Sequence, residues 1–250
     1  MRIRAVIFDV DGLLVDSEGS WFQASVEFMR QHGKTWTERD HQLNMGSAPA
    51  QWAQYIREHF NLALTPQMIQ AAVTDLMTER YERSLAPLPG AIQAVRTAAT
   101  AYEVALASGS PPELISRIVS LTGLERLIKV TVSGSEVRQG KPAPDIYVEA
   151  ARRLGVPPME CVGVEDSVNG ILSVKAAGMF CIAVPTRAYA LPSDILDAVD
   201  KVMPSLEGFS VALVQSLQLS RSRGIFSVGR RGRGRRMGLL IRAIRRGKDA

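Results

Sequence analysis

Short apolar runs rich in Val, Ile and Ala punctuate the chain, and between them the apolar positions fall at helical spacing. The first run, "RAVIFDV" (4–10), is β-branched and turns to Asp and Gly at its end, the pattern of a buried parallel strand. Downstream, "EVALAS" (103–108), "IKVTVS" (128–133), "CVGVE" (161–165) and "FCIAV" (180–184) read as strands. They alternate with the helical patterns "AIQAVRTAA", "PELISRIVSLT", "PDIYVEAARRLG" and "VNGILSVKAAG". A short strand near 201–203 and a helix near 206–219 close the series. The alternation predicts an α/β fold, a doubly wound, Rossmann-like parallel sheet with helices on both faces.

Residues 16–87 break this alternation. They offer helices near 17–32, 49–60 and 66–84, with apolar spacing such as Trp21, Ser25, Phe28, Met29 or Met68, Ala72, Leu76, and no strand candidate of comparable quality. "APLPGA" (86–91) reads as a hinge, because its prolines exclude a continuing helix and Gly90 loosens the turn. The expected organisation is a core of residues 1–15 and 88–219, an inserted all-helical cap domain over 16–87, and a tail over 220–250.

Composition narrows the class. Hydrophobic residues at 46% and charged residues at 22% are those of a globular chain that buries a sizeable core. The net charge of +5 hides an asymmetry: residues 221–250 hold 11 Arg and Lys against one acid, whereas residues 1–220 hold 19 basic and 24 acidic side chains. The tail, "GRRGRGRR" at its centre, is too rich in Gly and charge to pack and is expected to be disordered. It either binds nucleic acid or another polyanion by counterion release or is a nonspecific basic extension. No apolar run reaches the roughly 18 residues of a membrane span and no signal-peptide pattern opens the chain, so a cytoplasmic protein is expected. Cys161 and Cys181 lie in apolar strands without CxxC spacing and read as packed thiols. The oligomeric state stays open, with a monomer favoured.

In a doubly wound sheet, ligands bind at the carboxyl ends of the strands. Those positions carry Asp9 and Asp11 after the first strand, Ser108 after the second, Lys141 past the third, and Glu165 with Asp166 after the fourth. Four carboxylates in one crevice repel each other, each like pair at about 4 Å costing about 4 kcal/mol at an effective dielectric near 20. A hard divalent cation removes that penalty, and Mg²⁺ suits carboxylates that share it with phosphate oxygens. Lys141 and Ser108 add a point charge and a hydroxyl donor for a phosphoryl group. No His or Cys stands at these ends, and an aspartate can serve as nucleophile, forming an aspartyl-phosphate: of Asp9 and Asp11, one can attack phosphorus while the other shuttles a proton. Gly12 lets the chain turn close to the ligand.

"DVDG", "ASGS", "GKPAPD" and "VEDSVNG", in this order and on these elements, closely resemble the four motifs of the haloacid-dehalogenase-like hydrolase superfamily. The helical insert, "LLVDSE", "PLPGA" and "GKPAPDIY" resemble its β-phosphoglucomutase-like branch of sugar and small-organic phosphate phosphatases, over roughly residues 1–219. The resemblance implies Asp9 as nucleophile and metal ligand, and Asp11 as general acid/base whose backbone carbonyl also ligates Mg²⁺. It implies Ser108 and Lys141 as phosphate binders, backbone amides at Gly109 around the phosphoryl group, and Asp166 as metal ligand with Glu165 beside it. The branch's mutases carry a histidine and an arginine in the cap. Trp21 stands near the first position and Ala48 or Pro49 at the second, which favours a phosphatase of small phosphorylated metabolites, sugar or polyol phosphates first, over a phosphomutase. A phospho-accepting receiver module fits poorly, because such modules lack a large cap.

The other polar residues have plainer readings. Asp16 and Ser17 are expected to cap the first insert helix and Ser167 the helix after Asp166. His32, His41 and His59 lack metal-ligand spacing and are assigned to cap packing or surface. Trp21, Trp36, Trp52 and Tyr55 are expected in the cap core, one or two of them reaching a substrate pocket, with Arg83 a lesser candidate for a substrate's far anion.

Overall fold

The computed structural model describes residues 2–44, 47, 49–186 and 191–224, the last six by backbone alone. Six parallel strands, β1 (Ala5–Phe8), β2 (Glu103–Ser108), β3 (Val130–Ser133), β4 (Cys161–Glu165), β5 (Phe180–Ala183) and β6 (Lys201–Val202), form one sheet in the order β3-β2-β1-β4-β5-β6. Successive side chains of a strand point to opposite faces, and here both faces are covered. Val6 and Phe8 enter one core with Ala94 and Val95 of α5 (Ala91–Ala99) and Ile115 and Ile118 of α6 (Pro112–Thr122). Ala5 and Ile7 enter the other with Ile146 and Tyr147 of α7 (Asp145–Leu154) and Ile171 and Val174 of α8 (Val168–Ala176). Two-sided burial is why the strands read as continuous apolar runs rather than alternating ones.

Strand order reverses about β1, which lies between β2 and β4 with Ile7 opposite both Ala105 and Gly163. The crevice above this point is where a doubly wound sheet places its ligand. Between β1 and α5 the described residues form four helices: α1 (Glu18–Gln31), α2 (Glu38–Asn44), α3 (Pro49–His59) and α4 (Pro66–Ser84). The two strands of chain entering and leaving this insert are tied together. Asp16 N–H donates to Ala86 O at 2.9 Å, Leu88 N–H to Leu14 O at 2.9 Å, and Val15 bridges Pro87.

Several boundaries differ from the sequence reading. Helix α2 was not anticipated; a reciprocal capping box starts it, Thr37 N–H donating to Asp40 Oδ2 (2.9 Å) and Asp40 N–H to Thr37 Oγ1 (3.2 Å). The strand expected from 128 begins at Val130, and a short helix, α9 (Ser193–Leu196), follows β5. The last helix, α10 (Val211–Gly224), starts after 206, because Leu206–Gly208 forms a separate turn and Ser210 Oγ accepts from Leu213 N–H (3.1 Å). It also runs past residue 219; the rest of the tail, with its polyanion reading, lies outside the described residues. Among those residues no helix is long and apolar enough to cross a membrane.

Candidate active site

Asp9 directly follows β1, and its N–H donates to Val164 O of β4 at 3.0 Å, which sets its side chain beside the end of that strand. Lys141, 3% exposed, reaches in from the loop before α7: its Nζ lies 2.5 Å from Asp9 Oδ1 and also donates to Glu165 Oε1. Glu165 Oε1 accepts a second bond from Tyr147 OH (2.7 Å), while Oε2 accepts from Ser167 Oγ (3.1 Å) and Asp166 N–H (3.2 Å). Glu165 is thus fully engaged in orienting Lys141 and the start of α8. Gly170 of α8 makes this possible, since a Cβ there would overlap the Glu165 carboxylate. Ser167 caps the same helix as expected, accepting from Gly170 N–H at 3.1 Å.

Asp11 has different company. Oδ1 accepts from Ser17 Oγ (2.8 Å), Trp21 Nε1 (3.0 Å) and Tyr81 OH (3.2 Å), and Oδ2 from Ser108 Oγ (2.9 Å) and Ser110 Oγ (2.6 Å). Three of these donors come from the insert side, one from the end of β2 and one from the turn after it. Ser17 stands at the N-cap of α1, but its side chain accepts no bond from the helix; its hydroxyl donates to Asp11 Oδ1. Ser108 is fully buried with its hydroxyl spent on Asp11 in this structure.

Asp9, Glu165 and Asp166 bring carboxylate oxygens within 4.8 Å of one another, and all three are buried. Burial pushes Asp9 well above the ordinary carboxylate range; Lys141 pulls it back, and Glu165 and Asp11 push it on. Asp166 is raised in the same way, by burial first and then by Asp9 and Glu165. Lys141 is raised although burial opposes its charge, because Asp9 and Glu165 outweigh that penalty. Asp166 Oδ1 is buried without a hydrogen-bond partner, and Gly12 (φ +77°) leaves open the space beside Asp166 Oδ2 that a Cβ would fill. Carboxylate oxygens only, an orphaned lone pair and more negative than positive charge together fit a hard divalent cation. The Asp11 carboxylate is outside this cluster.

A cavity of about 80 Å³ opens between these strand ends and the insert. Asp9, Asp11, Gly109, Ser110 and Asp166 line its floor; Trp21, Trp36, Trp52 and Ile56 line the facing wall. All three tryptophans reach it, more than expected, and so does His41, whose Nε2 lies 3.1 Å from Glu18 Oε2. Arg83 does not: it is exposed on α4 and paired with Glu79 at 3.2 Å. Every residue singled out from the strand ends is in or directly behind the site. Sequence reasoning missed Ser110, Tyr81 and Tyr147; only Ser110, two residues beyond Ser108, carried a visible cue.

These features define a doubly wound α/β protein whose carboxylates gather at a topological switch point beneath a helical insert. Residues 3–178 match the family model of haloacid dehalogenase-like hydrolases, and the chain belongs to that family. It is 32% identical over 190 residues to hexitol phosphatase B of Escherichia coli, covering 74% of this chain and 84% of that one. It is 33% identical over 205 residues to a bifunctional riboflavin kinase/FMN phosphatase of Arabidopsis thaliana, covering 80% of this chain and about half, 53%, of that protein's length. The crystal structure of β-phosphoglucomutase from Clostridium difficile shares the fold, with a TM-score of 0.76 at 19% identity, covering 88% of this chain and 98% of that one.

Proposed function

We propose that the chain is a Mg²⁺-dependent phosphomonoesterase of a small phosphorylated metabolite, working through an aspartyl-phosphate on Asp9. The observation that carries this reading is the placement of the buried Asp9 carboxylate on the cavity floor, with Lys141 Nζ at 2.5 Å and Asp166 alongside. Asp9 attacks phosphorus, and the phosphoryl oxygens replace its contact to Lys141, whose charge neutralises them as they accumulate charge. Asp11 gives its proton to the leaving ester oxygen, then takes one from the water that cleaves the aspartyl-phosphate. Backbone amides near Gly109 hold the phosphoryl group. Asp9, Asp166 and the Asp11 carbonyl would hold Mg²⁺, with Glu165 adding charge from behind Lys141. When bound, the cation supplies the positive charge that lets an anionic carboxylate approach an anionic phosphate.

Residues 16–87 are taken as the substrate-selecting cap and 1–15 with 88–219 as the core. A sugar or polyol phosphate is the first substrate class to test, which the name of the Escherichia coli relative supports. Phosphomutase activity is disfavoured, since no lysine or arginine among the described residues lines the cap side of the cavity to retain a bisphosphate intermediate. A panel of phosphorylated metabolites, assayed with and without Mg²⁺ and with Asp9→Asn, tests the reading. Phosphate release that needs Mg²⁺ and vanishes in the variant is expected; full activity in Asp9→Asn rules out the nucleophile.

A further inference from the structure

Helix α1 brings a further carboxylate toward the strand ends. Glu18 stands in the first turn of α1, where an acid commonly serves only the helix dipole. Here it lines the cavity, with 19% of its side chain exposed. His41 of α2, itself buried and edge-on to the Phe22 ring, engages Oε2 at 3.1 Å and so fixes the carboxylate. Oε1 is the oxygen turned toward Gly12: a Cβ there would meet Asp166 Oδ2 at 2.4 Å and Glu18 Oε1 at 3.6 Å, so the two carboxylates border one small space. Like charges placed in this way repel each other unless a cation, or water held by one, joins them. Asp166 Oδ1, buried without a hydrogen-bond partner, independently points to a ligand at the same carboxylate.

Glu18 is set back from the position of a direct ligand, outside the group of Asp9, Glu165 and Asp166 whose oxygens come within 4.8 Å of one another. Mg²⁺ keeps several of its waters, and a carboxylate that accepts from such a water stands roughly 4–5 Å from the ion. From this juxtaposition we infer that Glu18 holds the cation through water: Oε1 accepts from a water that Mg²⁺ carries, and the first turn of the insert becomes part of the cation site. Glu18 is thereby a positioning residue. This rests on the proposed cation site at Asp9 and Asp166 and adds to it a residue from α1. That helix then reaches the strand ends twice, through Glu18 and through Trp21, whose Nε1 donates to Asp11 Oδ1 at 3.0 Å.

The test titrates Mg²⁺ alone into the EDTA-treated full chain at neutral pH and follows the thermal midpoint, for the wild type, Glu18→Gln and Glu18→Asp. Glu18→Gln keeps the size and removes the charge, whereas Glu18→Asp keeps the charge and withdraws it by one methylene. Groups that act on a metal through its ligands change affinity about 10–100-fold when altered. The Mg²⁺ concentration at half-saturation is therefore expected to rise about tenfold in Glu18→Gln and at least about threefold in Glu18→Asp. A role confined to α1 would instead lower the metal-free midpoint and leave half-saturation in place. Unchanged half-saturation in Glu18→Gln overturns the inference; so does full recovery in Glu18→Asp, because charge alone would then suffice. Should one variant not fold, the other decides together with His41→Phe, which keeps a ring against Phe22, releases Oε2 and is expected to weaken Mg²⁺ binding as well. A wild type that does not respond to Mg²⁺ removes the cation site, and the Mg²⁺-dependent reading fails with the inference. A response shared equally by the wild type and Glu18→Gln leaves that reading standing and takes Glu18 out of it.

Discussion

Trp21 Nε1 donates to Asp11 Oδ1 across 3.0 Å, so a side chain of the first insert helix holds a carboxylate of the sheet. Tyr81 OH, from α4, joins it on the same oxygen at 3.2 Å. The carboxylate proposed to give and take a proton is thereby oriented partly by the helical insert.

Trp21→Phe keeps an aromatic face and deletes the donor. A hydrogen bond to a charged group contributes about 1.5–3 kcal/mol, and four other donors to Asp11 remain, so kcat should fall about tenfold. The thermal midpoint should move little, because the ring stays in the cavity wall. Steady-state kinetics beside a melting curve checks both; an unchanged kcat means that Trp21 does not position Asp11.

Gly170→Ala inverts the usual helix rule. Replacing glycine by alanine within a helix ordinarily stabilises by up to about 1 kcal/mol. In α8 the new methyl would overlap the Glu165 carboxylate, which Lys141, Tyr147 and Ser167 pin in place. A loss of about 1–3 kcal/mol is expected, visible as a lower urea midpoint at unchanged slope, together with lost activity. Greater stability in the variant would show that Glu165 is free to move.

Metal binding should depend on pH in a defined direction. Burial raises Asp9 and Asp166 above the ordinary carboxylate value of 3.8, so they take up protons at a pH where unfolded carboxylates are ionised. Metal-free protein therefore gains stability from these two groups as pH falls through their raised values, and loses that gain on the alkaline side. A protonated carboxylate does not ligate Mg²⁺, so the cation and protons compete. At neutral pH a hundredfold excess of Mg²⁺ over its Kd should add about 2.7 kcal/mol. The half-saturating concentration in a thermal-shift titration should rise as pH falls below neutral, and Asp166→Asn should abolish the shift. A pH-independent half-saturation would place the cation elsewhere.

The sheet and its strand-end residues were legible because a strand buried on both faces leaves a continuous apolar run, and the residue after it must lie in the crevice. Asp9, Lys141 and Glu165 followed from that rule, although 132 residues separate Lys141 from Asp9. Contacts across the insert were not legible. Ser17 has the composition of a helix cap, but that its hydroxyl reaches Asp11 depends on where β1 ends relative to α1. Tyr81 meets Asp11 over 70 residues of chain with no local signal, and α2 announced itself only through the Thr37–Asp40 spacing. The insert's apolar periodicity identified helices but not which aromatic rings would turn toward the crevice.

Lys141→Met tests whether the buried triad is held by charge or by shape. Lys141, Asp9 and Glu165 are all buried, and the lysine stands 5.4 Å above the Tyr147 ring. Removing the one cation leaves two carboxylates facing each other without a counter-charge, and breaking a buried pair in this way costs about 3–5 kcal/mol. Asp9, already raised by burial, then loses the cation that pulls it back, so the variant should be most impaired at neutral pH and recover part of its stability in mild acid. Adding Glu165→Gln to Lys141→Met removes one of the stranded charges and should restore part of the loss, although activity should stay lost if Lys141 binds phosphate as proposed. Urea denaturation of the wild type, both single variants and the double variant closes the cycle. If the double variant is no more stable than Lys141→Met, the packing of the lysine stem, rather than its charge, holds this end of the sheet together.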